Sequence, residues 1–421
     1  LDHDHASTPV SSPDRQQTKP APTKQRFSSI DTLRGFALLG ILVPNIWFFA
    51  WPMAAATDPA IVMSDNPANT QAQDITSIFF LGKFMFNFAL LFGAGVVMYG
   101  RKYDTADELG NYHTKLSQGA SLWYIRCAIL LAFGMIHAYL FWYGDILTAY
   151  AIAGLTLLWW VRRLNPKLQL WGGLALYYAG ASLMIGLAAF GYWALSAGHV
   201  TQQELSGDFA AEIKGYTGSF LDAFTVRFFT TLSLQVMFTF LFLPALWGIM
   251  CMGMGLTRMG FLTGEKSTRT YVLLAAILLP FGLGTTILIQ AWVNNTFELY
   301  PGFVWQSSAQ AVGVPIALGY TSLLIALSKI SLFKIITVPL AAVGRMALTN
   351  YFSHTLVCTT FFYGYGMGKF AEIEYPHLWI VVGSVWAFNI CFSLLWLRFF
   401  KMGPFEWVWR CLTYRQLVPI C

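Results

Sequence analysis

The sequence predicts an all-α fold, a polytopic transmembrane helical bundle of about ten spans with both termini cytoplasmic. Three observations predict it. Only 11% of the 421 residues are charged and 56% are hydrophobic, against roughly 25% charged in an average soluble domain. A soluble globule of this length needs a charged surface, and 26 Lys and Arg with 20 Asp and Glu are too few to make one. Apolar runs of about 20 residues, enough to cross a hydrocarbon core, recur along the chain without the alternation of a barrel strand. Finally, lysines and arginines gather in every second connection, the pattern that orients helices in a membrane.

Taken in order, residues 1–34 read as a disordered cytoplasmic tail, rich in Pro, Ser, Thr, Gln and Lys and without the apolar core of a signal peptide. The apolar runs fall at 35–52, 75–99, 121–141, 144–161, 168–195, 228–257, 271–292, 309–328, 336–362 and 377–398. Lys19, Lys24, Arg26 and Arg34 precede the first run. The 52–74 loop has no Lys or Arg and carries Asp58, Asp65 and Asp74. Basic residues return at Arg101, Lys102, Lys115 and Arg126, at Arg162, Arg163 and Lys167, at Arg258, Lys266 and Arg269, and at Lys329, Lys334 and Arg345. Arg398, Lys401, Arg410 and Arg415 mark the C-terminal tail, whereas the intervening loops contain only Lys214, Arg227 and Lys369. The net charge of +6 is thus read as orientation, with the lipid bilayer as partner and no nucleic acid. Residues 35–415 form one membrane domain, divided by a polar break near 262–270 into halves 35–260 and 261–415.

The six cysteines, Cys127, Cys251, Cys358, Cys391, Cys411 and Cys421, form no Cys-x-x-Cys pair, so neither a zinc site nor a disulfide framework is expected. No metal is expected.

Ionisable and amide side chains inside spans are functional candidates, because lipid tolerates them only against a partner or an internal cavity. Here they are Asn45, Lys83, Asn87, His137, Asp145 and His354, most of them in the outer half of the bundle. A turn at Tyr143-Gly144 would set Asp145 beside His137. A carboxylate there fixes the tautomer of the imidazole and raises its basicity, as a general base needs, and the same pair can equally be a clamp on a hairpin. Lys83 and Asn87 share a helix face; the ammonium either binds an anionic substrate or snorkels outward. Arg345, Asn350 and His354 follow at helical spacing, and Arg345 suits a phosphate or simply follows the charge rule. Asp31 and Arg34 make a local pair at the start of the first run.

These residues carry a resemblance. The opening Asp31-Thr32-Leu33-Arg34-Gly35-Phe36-Ala37-Leu38-Leu39-Gly40-Ile41, the His137 to Leu147 segment, Gly344 to Tyr351 with Tyr363-Gly364-Tyr365-Gly366, and Gly403-Pro404-Phe405-Glu406-Trp407-Val408-Trp409-Arg410 together resemble the YeiB-type family of bacterial membrane proteins over residues 26–415. The C-terminal half looks like that family's domain of unknown function. The family in turn resembles the transmembrane acyltransferases, which include the lysosomal heparan-glucosaminide acetyltransferase and O-acyltransferases of surface polysaccharides. That likeness rests on Asp31, Arg34, Gly35 and an Asn eleven residues after the Arg, Asn45, with Asp74 ahead of the second span. The relative's catalytic histidine follows its Asn closely. Ile46 to Gln73 contains no histidine here, which makes His137 the replacement by position.

The resemblance implies a multi-pass protein of the bacterial cytoplasmic (inner) membrane that moves an acyl group, acetyl foremost, from cytoplasmic acyl-CoA to a small-molecule or glycan acceptor at the other face. Under it His137, oriented by Asp145, is the base, and Asn45 or Lys83 the oxyanion donor. Arg34, Arg345 and Asp31 stand at the acyl-CoA end, and Asp74, Asn87, Asn350 and His354 toward the acceptor. A homo-oligomer is compatible with this reading. The alternative is a transporter for a small polar or anionic substrate, proton-coupled through Lys83, His137, Asp145 and His354, with helices broken at Gly93, Gly95, Gly253 and Gly255. A scaffold or sensor without chemistry is the third possibility.

Overall fold

A computed structural model describes residues 28–56, 66–104, 112–201, 208–296 and 310–421. Residues 1–27, Asp58 and Asp65 lie outside the described residues. The described chain is helical, with no strand among the described residues. Helix α1 spans Ser28–Ala50, so it starts seven residues before the expected boundary at 35. Next come α2 (Pro67–Phe79), α3 (Lys83–Gly100), α4 (Tyr112–Ile136), which runs into a π-turn at His137–Phe141, and α5 (Leu147–Val161). The first half continues with α6 (Pro166–Ser196), α7 (Phe209–Thr217), α8 (Phe220–Leu241) and α9 (Leu243–Arg258). The second holds α10 (Thr268–Thr296), α11 (Gly313–Lys329), α12 (Lys334–Arg345), α13 (Ala347–Phe362), α14 (Tyr375–Phe399) and α15 (Pro404–Tyr414).

All ten expected runs are helical. Seven helices among the described residues are long and apolar enough to cross a membrane, eight if the bent pair Ser331–Arg345 and Ala347–Phe362 is one span. Not every run is a straight span: the 144–161 run forms only the shorter apolar helix α5, and two others are broken. The 228–257 run is divided between α8 and α9, with Pro244 in the first turn of α9, where its missing N–H costs no helical hydrogen bond. The 336–362 run bends by 85° between Arg345 and Ala347.

Apolar side chains on α6, α8, α10 and α14, among them Trp171, Phe190, Phe229, Leu288, Ile380 and Phe399, face outward. That is the arrangement of a bundle solvated by hydrocarbon. Inside, α1 is the hub, packed against α3, α12 and α13. Its crossing with α12 is close: a methyl on Gly35 would strike the Leu340 carbonyl, and one on Gly344 the Asp31 carbonyl. Absence of a side chain at both positions lets the backbones touch, as small residues do between membrane helices. Gly93 and Gly253 serve the α3–α9 crossing in the same way, inside helices that run unbroken through them. The helix breaks expected at these glycines and at Gly95 and Gly255 are therefore absent.

Candidate functional site

The π-turn that ends α4 is the local feature from which the site grows. A π-turn widens the helix by one residue and releases carbonyls from the i→i−4 ladder. Neighbouring side chains take them up. Arg227 Nε donates to the Tyr139 carbonyl at 2.9 Å and its Nη1 to the Phe141 carbonyl at 3.1 Å, while Thr231 Oγ1 donates to the Ala138 carbonyl at 3.1 Å. After the turn the chain doubles back, with Trp142 stacked on Phe49 at 4.0 Å and the Tyr143 hydroxyl donating to the Phe48 carbonyl at 3.3 Å. Gly134, one turn before His137, leaves the space into which Asp145 and Thr148 fold; a methyl there would strike both.

The hairpin brings His137 and Asp145 together as the sequence predicts. His137 Nδ1 lies 3.0 Å from Asp145 Oδ1, a close contact whose angles fall outside hydrogen-bond geometry, and the two side chains are 0% and 2% exposed. Asp145 Oδ2 accepts from the Thr148 amide at 2.7 Å, which holds the carboxylate and caps the start of α5. On the other side, His137 Nε2 is 2.7 Å from Thr355 Oγ1 on α13. The imidazole sits against the Tyr351 ring, 4.9 Å between centroids, and edge-on to Phe352. Carboxylate, imidazole and hydroxyl thus form one buried line from the first half of the chain to the second.

That line resembles the arrangement that activates a hydroxyl, a base within hydrogen-bond reach of an O–H with a carboxylate close to its other nitrogen, although no hydrogen bond is formed between carboxylate and imidazole. Thr355, Arg227, Thr231 and Tyr351 are the participants that sequence reasoning missed. Thr355 stands beside the noticed His354, but nothing local marks it. Arg227 is visible only as one of two cations, with Lys214, in a connection whose other charges are acidic.

The remaining candidates fall into separate groups. Lys83 is 1% exposed and donates to the Ser77 carbonyl at 2.6 Å. Asn87, one turn on, accepts from Thr321 of α11 at 2.9 Å, and its Nδ2 is unpartnered. This group lies where α3 meets α11. Asp74 accepts from Gln290. Asn350 donates to the Val343 carbonyl at 3.1 Å and to Ser393 at 2.8 Å, which ties the bent span to α14. His354 is buried with its Nε2 unpartnered. Asn45 is half-buried and lies one turn before Phe48, the residue whose carbonyl receives the hairpin.

At the other end of the bundle, where the basic connections gather, Arg34 pairs with Asp31 at 3.3 Å and Arg345 donates to the Lys401 carbonyl at 3.0 Å. The Gly35–Gly344 crossing sets these two arginines, each next in sequence to one of the glycines, at one junction. Glu406 of α15 receives the Leu348 amide at 2.6 Å and the Thr349 hydroxyl at 2.6 Å, and so caps the start of α13 from outside its own helix. Burial pushes the Glu406 carboxyl above its ordinary range, against those donors. A shallow crevice between α1, α2 and α14, lined by Val43, Ile46, Trp47 and Tyr375, is too tight to enclose a water molecule and takes in no member of the His137 line.

Comparison with known proteins agrees with the resemblance to the YeiB-type family. The family described as "Protein of unknown function (DUF418)" matches residues 256–416. The "Uncharacterized protein YeiB" of Escherichia coli (strain K12) is 33% identical over 408 residues, covering 94% of this chain and 98% of its own. The "Uncharacterized protein YxaH" of Bacillus subtilis (strain 168) is 30% identical over 423 residues, covering 96% and 98%. No solved structure matches.

Proposed function

Since the chain belongs to the YeiB family of multi-pass membrane proteins, we propose that its line of Asp145, His137 and Thr355 catalyses acyl transfer from acyl-CoA, acetyl-CoA foremost, to an acceptor at the far face of the membrane. One observation carries the reading: a buried imidazole with a carboxylate at 3.0 Å on one nitrogen and a hydroxyl at 2.7 Å on the other.

The chemistry follows from the geometry. The acceptor, a hydroxyl or amine, must lose a proton as it attacks the thioester carbonyl. The proposed route for the proton to Nε2 is the Thr355 hydroxyl, itself buried, which accepts one proton as it gives up its own. Asp145 stabilises the imidazolium. As the tetrahedral intermediate collapses, the C–S bond breaks and the departing thiolate takes the proton back. The developing oxyanion needs a donor. Lys83 spends a hydrogen bond on Ser77; Asn45, beside the docked hairpin, is the better placed of the two expected donors. Arg34 and Arg345 supply cations for the nucleotide phosphates at the basic end. The deciding experiment follows thiol release from acetyl-CoA by protein in nanodiscs with a mixture of sugar and amine acceptors. Turnover lost in His137→Ala supports the reading, and no turnover by the unaltered protein overturns it.

A second reading, transport, is favoured by the 85° break at Met346, since broken helices form transporter sites. It predicts substrate flux into proteoliposomes without acyl-CoA.

A further inference from the structure

Helix α15 supplies no atom to the His137 line, yet it touches both helices that build it. α4 runs into the turn that starts at His137, and α13 carries Thr355. α13 approaches the π-turn itself, whereas its backbone stands off from α4 below it, and α15 packs against both. In the first turn of α15, Phe405 stacks flat on Phe352 of α13, with 4.4 Å between centroids and 6° between planes, and meets Phe133 of α4 edge-on at 6.4 Å. Phe133 and Phe352 close the triangle, edge to face at 6.3 Å. The triangle sits one turn below the hydrogen bond at issue: Phe133 is four residues before His137 and Phe352 three before Thr355. Phe352 also stands edge-on to the imidazole at 5.2 Å.

Polar contacts fix α15 to each helix separately. Met346, ahead of α13, offers no side-chain cap, and Glu406 takes its place on the Leu348 amide and the Thr349 hydroxyl. That hydroxyl in turn accepts from the Phe405 amide at 3.1 Å. Gly403 lets the chain pass this close, since a methyl there would strike Glu406 and Thr349. On the α4 side, Trp409 Nε1 donates to the Arg126 carbonyl at 3.0 Å, and the Arg126 guanidinium lies over the indole at 4.2 Å. With both ends held, the Phe405 ring cannot slide out of the triangle.

We propose that α15 is a spacer that sets the separation of α4 and α13, and that Phe405 and Glu406 are positioning residues for the contact between His137 and Thr355. Close-packed rings resist compression, so the volume of Phe405 decides how far apart the two helices stand. The cap decides how far along its axis α13 sits. Both matter because the 2.7 Å contact of Nε2 with Thr355 Oγ1 is a hydrogen bond, which weakens steeply with distance and angle. The effect on turnover rests on the acyl-transfer reading; the spacing of the helices does not.

The test uses the full chain in nanodiscs with ring-15N histidine, the His137 signals being assigned by their loss in His137→Gln. Thr355→Val marks the position of Nε2 without its hydroxyl partner. Phe405→Ala empties the triangle and Glu406→Ala removes the cap; both are expected to move the Nε2 signal toward its Thr355→Val position. Phe405→Leu keeps an apolar side chain in place and moves it part of the way, which carries the comparison where the alanine variant does not fold. Glu406→Gln keeps an acceptor for the Leu348 amide and restores the unaltered position. Trp407→Phe, whose indole holds the Val418 carbonyl of the C-terminal segment instead, leaves the signal in place. In thiol release from acetyl-CoA the two alanine variants are expected to lose about tenfold in kcat with KM little changed. An Nε2 signal unmoved in every Phe405 variant, or moved as far by Trp407→Phe, overturns the proposal whether or not the protein turns over acetyl-CoA. A moved signal without turnover by the unaltered protein sustains the spacer and overturns the acyl-transfer reading alone.

Discussion

His137 and Asp145 meet at 3.0 Å across a hairpin only eight residues long in sequence, and both are closed to solvent. The carboxylate reaches Nδ1, which leaves Nε2 pointing across the bundle to Thr355. Removing either partner has different consequences for stability and for chemistry. Asp145→Asn removes the charge that supports an imidazolium, and is expected to lower acyl-CoA turnover by about 100-fold or more. Asp145→Ala strips the cap on α5 as well, and breaking a buried pair costs about 3–5 kcal/mol. Paired measurement of thiol release and unfolding temperature separates the two. If Asp145→Asn turns over normally, the pair is a clamp only.

Thr355 gives a sharper test because its hydroxyl and its methyl can be separated. Thr355→Ser keeps the O–H at 2.7 Å from His137; Thr355→Val keeps the shape and removes the proton relay. Turnover is expected to survive in the serine variant and to fall by about 100-fold in the valine variant, with similar unfolding temperatures. Equal activity in the two would remove Thr355 from the proton path.

Much of this was legible in the sequence, and the reasons for the rest are physical. The His137–Asp145 contact is local, set by a turn that Tyr143-Gly144 announces. The apolar runs follow from the order of apolar residues along the chain, although only seven or eight of the ten form helices long and apolar enough to cross a membrane among the described residues. Thr355 is 218 residues from His137, and its placement depends on the bend at Met346, which no local pattern marks. Arg227 reads in the sequence as a loop cation, because its burial against the π-turn is a property of the packed bundle. The expectation that Lys83 could serve as oxyanion donor beside His137 came from depth alone. Depth does not fix which helices are neighbours, and α3 meets α9, α1 and α11 while His137 lies among α5, α8 and α13.

The glycines of the resemblance motifs are expected to be structural. Gly344→Ala places a methyl against the Asp31 carbonyl, and Gly35→Ala one against Leu340. Overpacking of this kind costs about 1–3 kcal/mol. Both variants should unfold at lower temperature and weaken acyl-CoA binding together, because the same crossing holds Arg34 and Arg345. A variant with normal stability and lost binding would instead point to a direct contact with ligand.

Glu212 predicts a pH dependence outside the membrane-spanning helices. Burial is the main cause that raises its carboxyl from the ordinary 4.5 to about 7, although the Met53 amide pulls the other way. For an acid whose folded value is raised, the folded state binds the proton more tightly than the unfolded chain does. Its stabilising contribution is complete below about pH 4.5 and is lost as pH rises through about 7. Unfolding temperature should therefore decline between those limits. Glu212→Gln mimics the protonated form while keeping an acceptor for the Met53 amide, so the decline should flatten, and the variant should be the more stable protein above pH 7. Superimposable pH profiles for the two would show that the carboxyl titrates alike in the folded and unfolded chain, and that burial does not raise it.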